Sequence, residues 1–355
     1  MQSSAVASPL TVQTPEAYAW DDYVGRHPQG HHEQTSGFAA MRVANGFKSV
    51  RVGVSCGNSG LVGGAQILIR HVPLVGNLAL ITQGPLVSHG YSGAAEMVVA
   101  AIDRLARKYH VVRLRVINYA ADDVWSPHFH RLGFARGGYR WAARDTALVA
   151  CDRDDSVILG DMKSKCRYNL RLAQRKGVST RVGGEGDIET FYWLLQHTAS
   201  RQGFPLFPLD YFRSTWRRFA PRGRLRLILA YADQEPLAGV MATVVGDRAY
   251  YGWGGLSPHR TNLMANYLTH WEAIRWARSV GCKFYDLSGT GDGDGVDRFK
   301  QQWGGQASVY PEPFEKYYGL LRGVRQHCTA LAWENGRLRE LVNRIARHQQ
   351  GPMPY

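Results

Sequence analysis

The amino-acid sequence predicts an α/β (α+β) protein built from two tandem units of similar layout. Its 355 residues suit about two domains, and its apolar content of 45% is ordinary for a globular protein. Each half shows helices, then a meander of about three strands, then a helix and a further strand. We therefore expect a flexible tail at residues 1–14, domains at 15–150 and 151–317, and a C-terminal helix and tail at 318–355.

Helical spacing and strand alternation define the elements of the first half. Val98, Ile102 and Leu105 mark one apolar face of a long helix, and Pro28 with Gly30 ends an earlier one. Helices are expected at 16–27, 35–46, 92–109 and 125–133, and strands at 50–55, 60–72, 78–82, 111–117 and 140–149.

The second half repeats this order of elements. Gly177 ends its first helix, and the turn at residues 234–236 joins two of its strands. Helices are expected at 164–177, 188–202, 210–220 and 263–281, and strands at 225–232, 238–245, 249–256 and 283–287.

The charge balance restricts the class of partner. Forty-three Lys and Arg against 29 Asp and Glu give a net charge of +14. Such an excess favours nucleic acid, an anionic membrane face or phosphorylated ligands, although a generally basic, solvated surface is the alternative. No apolar run approaches the ~18 residues of a membrane span, and the N-terminus lacks the pattern of a signal peptide. We expect a cytoplasmic protein.

The metal-binding residue types form no recognisable site. The five cysteines are scattered without C-x-x-C spacing, which argues against a zinc site or a disulfide framework. The thirteen histidines cluster only at His31-His32 and at His128 and His130, and no carboxylate or cysteine partner is recognised at ligand spacing. We expect no metal, and neither a G-x-S-x-G motif nor a P-loop is present.

Basic residues concentrate in two stretches of the second half. Arg167, Arg171 and Arg175 recur every four residues beside Lys163, so the three arginines share one face of a helix. A second basic stretch spans residues 201–226. Both suit the phosphates of a tRNA acceptor stem, a diphosphate-linked precursor or a lipid headgroup. Solvated helix faces are the alternative.

A glycine-rich stretch at 285–305 ends in an aromatic residue and a lysine. Glycines at 289, 291, 293 and 295 allow the backbone to bend tightly or something to approach closely. Phe299 and Lys300 follow at once, an arrangement typical of a cation that meets a substrate. The alternative is a surface ion pair of Lys300 with Asp294 or Asp297.

Three segments resemble the Fem family, the aminoacyl-tRNA-dependent transferases that build peptide cross-bridges in bacterial cell walls. They are residues 165–178 (KCRYNLRLAQRKGV), 271–286 (WEAIRWARSVGCKFYD) and 298–305 (RFKQQWGG). The first is similar to that family's R-x-N-[IL]-R-x-A-x-x-x-G-V helix, the second to its element ending in Y-D-[FL]-x-G, and the third to its F-K-x-x-[FW]-G-G. The resemblance implies two tandem GCN5-related acyltransferase-like domains.

The resemblance also implies roles for the aromatic–lysine pair. Lys300 would place its cation at the oxyanion of the acyl-transfer intermediate, and Phe299 would pack against the acyl chain. Attack of an amine on an ester builds negative charge on oxygen, and one preorganised donor there contributes on the order of 3 kcal/mol.

Further substrate contacts follow from the same comparison. Tyr251 and Trp253 are expected on one face of a strand by alternation, where they would line the acceptor channel unless they pack in the core. Arg201 and Arg42 would contact the acceptor's phosphates. Asp286 would anchor the substrate or, alternatively, cap a turn.

The favoured reaction is transfer of an aminoacyl group from aminoacyl-tRNA to an amine of a peptidoglycan precursor or a peptide-like natural product. No cofactor beyond the aminoacyl-tRNA co-substrate is expected, and no general base is evident. A donor linked to coenzyme A or a carrier protein is the alternative, but the glycine-rich pyrophosphate loop it needs is missing at 258–265 and only partial at 89–94. A non-catalytic nucleic-acid-binding module is a third hypothesis.

Overall fold

A computed structural model describes residues 9–118, 124–137, 145–204, 206–290 and 295–319. The chain forms two compact units. The first contains the described residues up to 137 and those from 311 onward, and the second contains residues from 145 to 310. The predicted α/β class with two tandem units is therefore confirmed.

The first unit is a mostly antiparallel sheet covered by helices. Its elements are β1 Leu10–Gln13, α1 Ala17–Arg26, α2 Ser36–Ala44, β2 Lys48–Cys56, β3 Leu61–Val72, β4 Gly76–Thr82, β5 Leu86–Val87, α3 Ala94–Lys108, β6 Val111–Ile117, α4 Ser126–Arg131 and β7 Ala135–Arg136. β4 and β6 are parallel. The apolar face of α3 lies on the sheet, where Val98 and Ile102 are fully buried with Leu114.

The second unit has the same plan. Its elements are β8 Asp145–Ala150, α5 Asp155–Asp161, α6 Ser164–Arg175, β9 Ser179–Val182, α7 Ile188–Gln202, α8 Leu209–Phe219, β10 Leu225–Ala232, β11 Glu235–Val245, β12 Arg248–Leu256, α9 Ala265–Ser279, β13 Phe284–Thr290, α10 Gly295–Lys300 and β14 Gln306–Val309. The chain then returns to the first sheet as β15 Phe314–Tyr317.

Helices cover both faces of the second sheet. The strand order among the described residues is β14-β8-β13-β12-β11-β10-β9. On one face, Ile274 and Ala277 of α9 are buried against Ala242 and Tyr285. On the other face Phe191 of α7 lies so close to the sheet that only glycine fits opposite it, at position 239.

Three of the predicted boundaries differ from the structure. Residues 145–150 do not close the first domain, because β8 pairs with β13 and β14. Residues 314–317 do not belong to the second domain, because β15 pairs with β6 and β7. Residues 10–13 are not a flexible tail, because β1 pairs with β2. A strand's sequence pattern reveals its extended conformation but not its distant partner. The helix expected beyond residue 318 falls on 320–355, outside the described residues.

A buried carboxylate fastens the returning strand. Asp103 of α3 accepts hydrogen bonds from the Lys316 ammonium at 2.6 Å, the Tyr318 hydroxyl at 2.8 Å and Arg107 Nε at 2.9 Å. Burial alone would raise the pKa of Asp103, but its bonds to Lys316, Arg107 and Tyr318 lower it overall. β15 is thus held by an ion pair as well as by its backbone hydrogen bonds to β6 and β7.

Candidate active site

The site begins where two parallel strands stop pairing. β12 and β13 share a register for three residues, from Arg248 opposite Phe284 to Tyr250 opposite Asp286. Both strands continue beyond this point. β12 is irregular between Tyr251 and Trp253, and β13 is irregular after Asp286. Beyond Tyr250 and Asp286 the two strands no longer pair with each other, although each stays paired with its other neighbour.

Asp286 creates the irregularity in β13. Its Oδ1 accepts hydrogen bonds from the Thr146 hydroxyl at 2.5 Å and from the Ser288 N–H at 2.8 Å, and Arg248 lies 3.6 Å from its Oδ2. Ser288 takes a left-handed φ of 59° in the resulting turn. Burial raises the pKa of Asp286, and the Thr146 bond and Arg248 oppose that rise. The carboxylate is engaged by protein groups, so the structure supports the turn-capping alternative over a substrate anchor.

This turn supplies two carbonyl oxygens that hold the lysine. α10 carries Lys300 to the site, where 5% of the residue is exposed. Its ammonium donates to the carbonyls of Ser288, at 3.3 Å, and Gly289. It also lies 5.8 Å from the centre of the Tyr251 ring. Lys300 is therefore buried rather than at the surface, and Asp294, one partner of the alternative ion pair, lies outside the described residues.

Phe299 lies in an aromatic cluster beside the lysine. Its ring centre is 5.1 Å from that of Tyr267, 5.2 Å from His270 and 5.8 Å from Trp303. Trp303 is fully buried, so it fixes the end of α10. Phe299 remains partly exposed, as a residue that meets an acyl chain requires.

The glycine after Trp303 is required by sterics. Gly304 has a φ of 74°, which other residues rarely adopt. A Cβ there would lie 2.6 Å from the carbonyl carbon of Asp161. In addition, the Lys163 N–H donates to the Gln302 carbonyl at 2.9 Å. These contacts join the start of α6 to the lysine-bearing segment.

His270 is a central residue of the site that the sequence reasoning missed. It is 3% exposed, its Nδ1 lies 3.2 Å from the Tyr285 hydroxyl, and its ring centre lies 4.7 Å from that of Tyr251. Burial, assisted by the charge of Lys300, lowers its pKa to about 3. Its place three residues after Tyr267 on the apolar face of α9 was the available signal.

Tyr251 and Trp253 do not share a face, contrary to the expectation from alternation. Gly252 is an extra residue in β12, since Tyr251 is opposite Ala242 and Trp253 is opposite Met241. The bulge therefore shifts the alternation by one residue. Tyr251 turns toward α9 and Lys300, whereas the Trp253 ring lies 5.7 Å from that of Phe212 in α8. Only Tyr251 is brought to the lysine.

Gly254 makes room for the Tyr251 side chain. A Cβ at residue 254 would collide with the Tyr251 hydroxyl and would lie 2.8 Å from its ring. Burial raises the pKa of Tyr251 to about 12. The phenol is thus a neutral wall of the site at physiological pH.

The basic residues of α6 divide into two groups. Arg167 bends back to donate to the carbonyls of Leu159, Gly160 and Met162 at the end of α5. Arg167 therefore does not project from an exposed face shared with Arg171 and Arg175. Lys163, Arg171 and Arg175 are exposed, and they remain the predicted phosphate contacts on this helix.

Two arginines of the second basic stretch are paired with acids. Arg213 lies 2.5 Å from Glu189, and Arg217 lies 2.6 Å from Glu185. These partners come from the first turn of α7 and the short segment just before it, too far along the sequence for spacing to reveal them. Arg201, by contrast, is exposed in the last turn of α7.

Arg42 lies in the first unit and is not a surface group. It is 1% exposed, and its guanidinium is 4.3 Å from the centre of the Phe47 ring. A direct contact with an acceptor phosphate is therefore not supported by its burial. The reason lies in α2, whose inner face carries this arginine among apolar residues.

The expectation that no carboxylate accompanies the histidine pair is wrong. Ligand atoms of His31, His32 and Glu33 lie within 4.8 Å of one another. Burial raises the pKa of Glu33, and the charge of Arg42 opposes this rise. We retain the prediction that the protein needs no metal.

Within the described part of the chain, no helix is long and apolar enough to cross a membrane.

Comparison with known families agrees with the sequence motifs. The FemAB family profile matches residues 16–121, in the first unit. A profile of the GNAT acetyltransferase domain matches residues 161–321, most of which lie in the second unit. The chain is similar to the Fem family in its first unit and to GNAT acetyltransferases in its second. The two matches lie in tandem, as the two sheets do.

Individual relatives and solved structures show the same similarity. Lipid II:glycine glycyltransferase of Staphylococcus saprophyticus is 22% identical, over 81% of this chain and 88% of that protein. The crystal structure of FemX has a TM-score of 0.81 at 18% identity and covers 90% of this chain and 100% of that one. A tandem GNAT protein from the clavulanic acid pathway has a TM-score of 0.56 at 14% identity, over 88% of this chain and 99% of its own. The structural likenesses confirm the tandem fold.

Proposed function

We propose that this protein is a Fem-family enzyme that transfers an aminoacyl group from aminoacyl-tRNA to an amine of a peptidoglycan precursor, forming an amide. The observation that carries the proposal is the buried Lys300 ammonium, fixed by two carbonyls where β12 and β13 stop pairing. A lipid-linked acceptor is favoured because the relatives of similar length are lipid II:glycine glycyltransferases. The reaction takes place in the cytoplasm.

The chemistry needs stabilisation of one oxyanion. The acceptor amine attacks the ester carbonyl, a C–N bond forms, and the tetrahedral intermediate collapses with release of the tRNA hydroxyl. Lys300 provides the positive charge for the developing oxyanion. Its carbonyl partners hold it in position before the substrate arrives, so little reorganisation is needed, and such a group contributes about 3 to 4 kcal/mol.

The aromatic neighbours set the environment of that charge. Tyr251 and Phe299 line the approach to Lys300, and both are partly exposed. The low pKa of His270 keeps its ring neutral at physiological pH. Lys300 is therefore the cation that faces the reacting oxygen, without repulsion from a second charge behind it.

The proton of the attacking amine leaves through the substrate or water. Asp286 is engaged by Thr146, Ser288 and Arg248, so it is not assigned as a base. The oxygen of the departing tRNA hydroxyl is the natural acceptor for this proton, because it becomes basic as the C–O bond breaks. No cofactor is required.

The exposed part of α6 is the proposed donor-binding surface. Lys163, Arg171 and Arg175 lie along it, and Tyr168 is 57% exposed with its ring 5.8 Å from the Arg175 guanidinium. Exposed basic side chains interleaved with an aromatic ring suit the phosphates and bases of single-stranded RNA. The start of this helix is bonded to the segment bearing Lys300.

The decisive experiment measures amide formation by Lys300→Met. Purified protein is mixed with labelled aminoacyl-tRNA and a lipid-linked or nucleotide-linked peptidoglycan precursor. We expect a loss of kcat of about 100- to 1000-fold with binding of aminoacyl-tRNA retained. Lys283→Met is the matched control, because this exposed lysine also flanks β13 but pairs with Asp247 at 3.2 Å. Unchanged turnover by folded Lys300→Met would contradict the mechanism.

The identity of the donor is tested in a separate experiment. Digestion of the charged tRNA with RNase before the reaction should abolish transfer. Transfer that survives the digestion, or that acyl-coenzyme A supports equally well, would replace the tRNA donor with the alternative acyl donor. Replacing the peptidoglycan precursor with peptide-like amines distinguishes a cell-wall acceptor from a natural-product acceptor.

A further inference from the structure

The hairpin between β3 and β4 exposes apolar side chains at its tip. Leu74 is fully exposed and Val75 is 48% exposed. The tip turns tightly, since Val72 is opposite Gly76 and the Val75 N–H donates to the Val72 carbonyl at 3.1 Å. β2 pairs with β3 only as far as Ile69, so the tip projects roughly 10 Å past the start of that strand.

The backbone conformation makes the leucine more unusual. Leu74 has a φ of 65°, a left-handed conformation that turns normally assign to glycine or asparagine. Leucine there is disfavoured by sterics, and its complete exposure gives no compensating contact inside the fold. The side chain is therefore better explained by something that it meets outside the fold.

A basic and aromatic rim surrounds the base of the hairpin. The Lys48 ammonium lies 4.5 Å from the centre of the Tyr109 ring, and that of Lys108 lies 6.0 Å from it. Asn77 joins the hairpin to this rim, because it donates to the Tyr109 carbonyl at 2.8 Å and contacts His71 at 3.0 Å. The apolar tip, the lysines and the tyrosine thus form one surface of the first unit.

This surface lacks opposing acids in sequence. Residues 34–95 contain no Asp or Glu, and neither do residues 104–121. Asp103, the acid that precedes the second stretch, is bound to Lys316, Tyr318 and Arg107. The segments that build this surface therefore carry a net positive charge.

We infer that this hairpin docks the protein on an anionic lipid bilayer. Leu74 and Val75 enter the boundary between headgroups and acyl chains, Tyr109 lies at headgroup level, and Lys48 and Lys108 meet the anionic headgroups. Apolar side chains beside basic residues and an interfacial aromatic ring are the composition of such contacts. The inference is independent of the transfer chemistry, because docking is measured without donor or acceptor.

The test is sedimentation of the full-length protein with vesicles of equal parts phosphatidylglycerol and phosphatidylcholine, and with vesicles of phosphatidylcholine alone. We expect binding to the anionic vesicles that falls as salt is raised. The double variant Leu74→Asn and Val75→Asn should bind at least about tenfold more weakly. Its thermal midpoint should not fall, because asparagine tolerates the left-handed turn better than leucine.

Controls separate docking from general charge and from self-association. Val182→Asn with Val309→Asn removes two exposed valines of the second unit, 58% and 70% exposed, and should leave vesicle binding unchanged. Lys48→Gln with Lys108→Gln should weaken binding to the anionic vesicles in particular. Equal vesicle binding by the hairpin variant and the unaltered protein would overturn the inference. So would a concentration-dependent dimer that the variant abolishes in the absence of any vesicle binding.

Discussion

Burial of His270 predicts a specific dependence of stability on pH. Its pKa is lowered from 6.5 to about 3 by burial and by Lys300. Below pH 6.5 the unfolded chain binds a proton there that the folded protein does not bind until about pH 3. The contribution of His270 to the free energy of unfolding is therefore present above pH 6.5 and declines as the pH falls. The slope approaches 1.36 kcal/mol per pH unit, which amounts to about 2 kcal/mol between pH 7 and pH 5.

His270→Phe should remove that contribution. Phenylalanine fits the surrounding aromatic rings but loses the bond to the Tyr285 hydroxyl, so the variant should be about 1 kcal/mol less stable at pH 7. Urea unfolding at pH 7 and at pH 5 gives, for each protein, the loss of unfolding free energy on acidification. The variant should lose about 2 kcal/mol less than the unaltered protein on acidification, whereas His259→Phe, at an exposed position, should match the unaltered protein. Equal losses for His270→Phe and the unaltered protein would refute the reasoning.

Three further substitutions test the surroundings of the site. Gly304→Ala should lower the free energy of unfolding by about 2 to 4 kcal/mol in urea titrations, more than Gly177→Ala, which shares the left-handed φ of 74° but has open space around it. Asp286→Ala should lower stability by about 3 kcal/mol and reduce kcat more than KM changes, because the turn that holds Lys300 is lost; unaltered kcat would contradict that role. Arg171→Gln with Arg175→Gln should weaken binding of aminoacyl-tRNA in filter-binding assays. The slope of the logarithm of the binding constant against the logarithm of salt concentration should fall in magnitude by about 1.4. An unchanged slope would count against α6 as the donor surface.

Local elements were predictable because their signals are local. The strand expected at 111–117 is Val111–Ile117, and that at 225–232 is Leu225–Ala232. The motif around Phe299 and Lys300 also led to the residues that form the site. Which strands pair could not be predicted in the same way. β8 and β15 are short extended segments whose partners are distant in the chain.

The predicted directions of side chains were wrong where the backbone is irregular or where another element captures the side chain. Alternation placed Tyr251 and Trp253 together, but the extra residue Gly252 separates them. Likewise, charge spacing treated Arg167 as equivalent to Arg171, although the carbonyls at the end of α5 capture the first. In each case a contact between elements decided the outcome, and no single stretch of sequence contains that contact.

The placement of β15 determines when the first unit can be completed during synthesis. β15 lies between β6 and β7 in the sheet, but the ribosome makes it only after the whole second sheet has been translated. Until then β6 presents an unpaired edge, and unpaired strand edges invite association with other chains. Over the same interval Asp103 lacks its ion pair with Lys316. The N-terminal unit is thus the first to be translated and among the last to be finished, so a polypeptide released early would lack the strand that closes it.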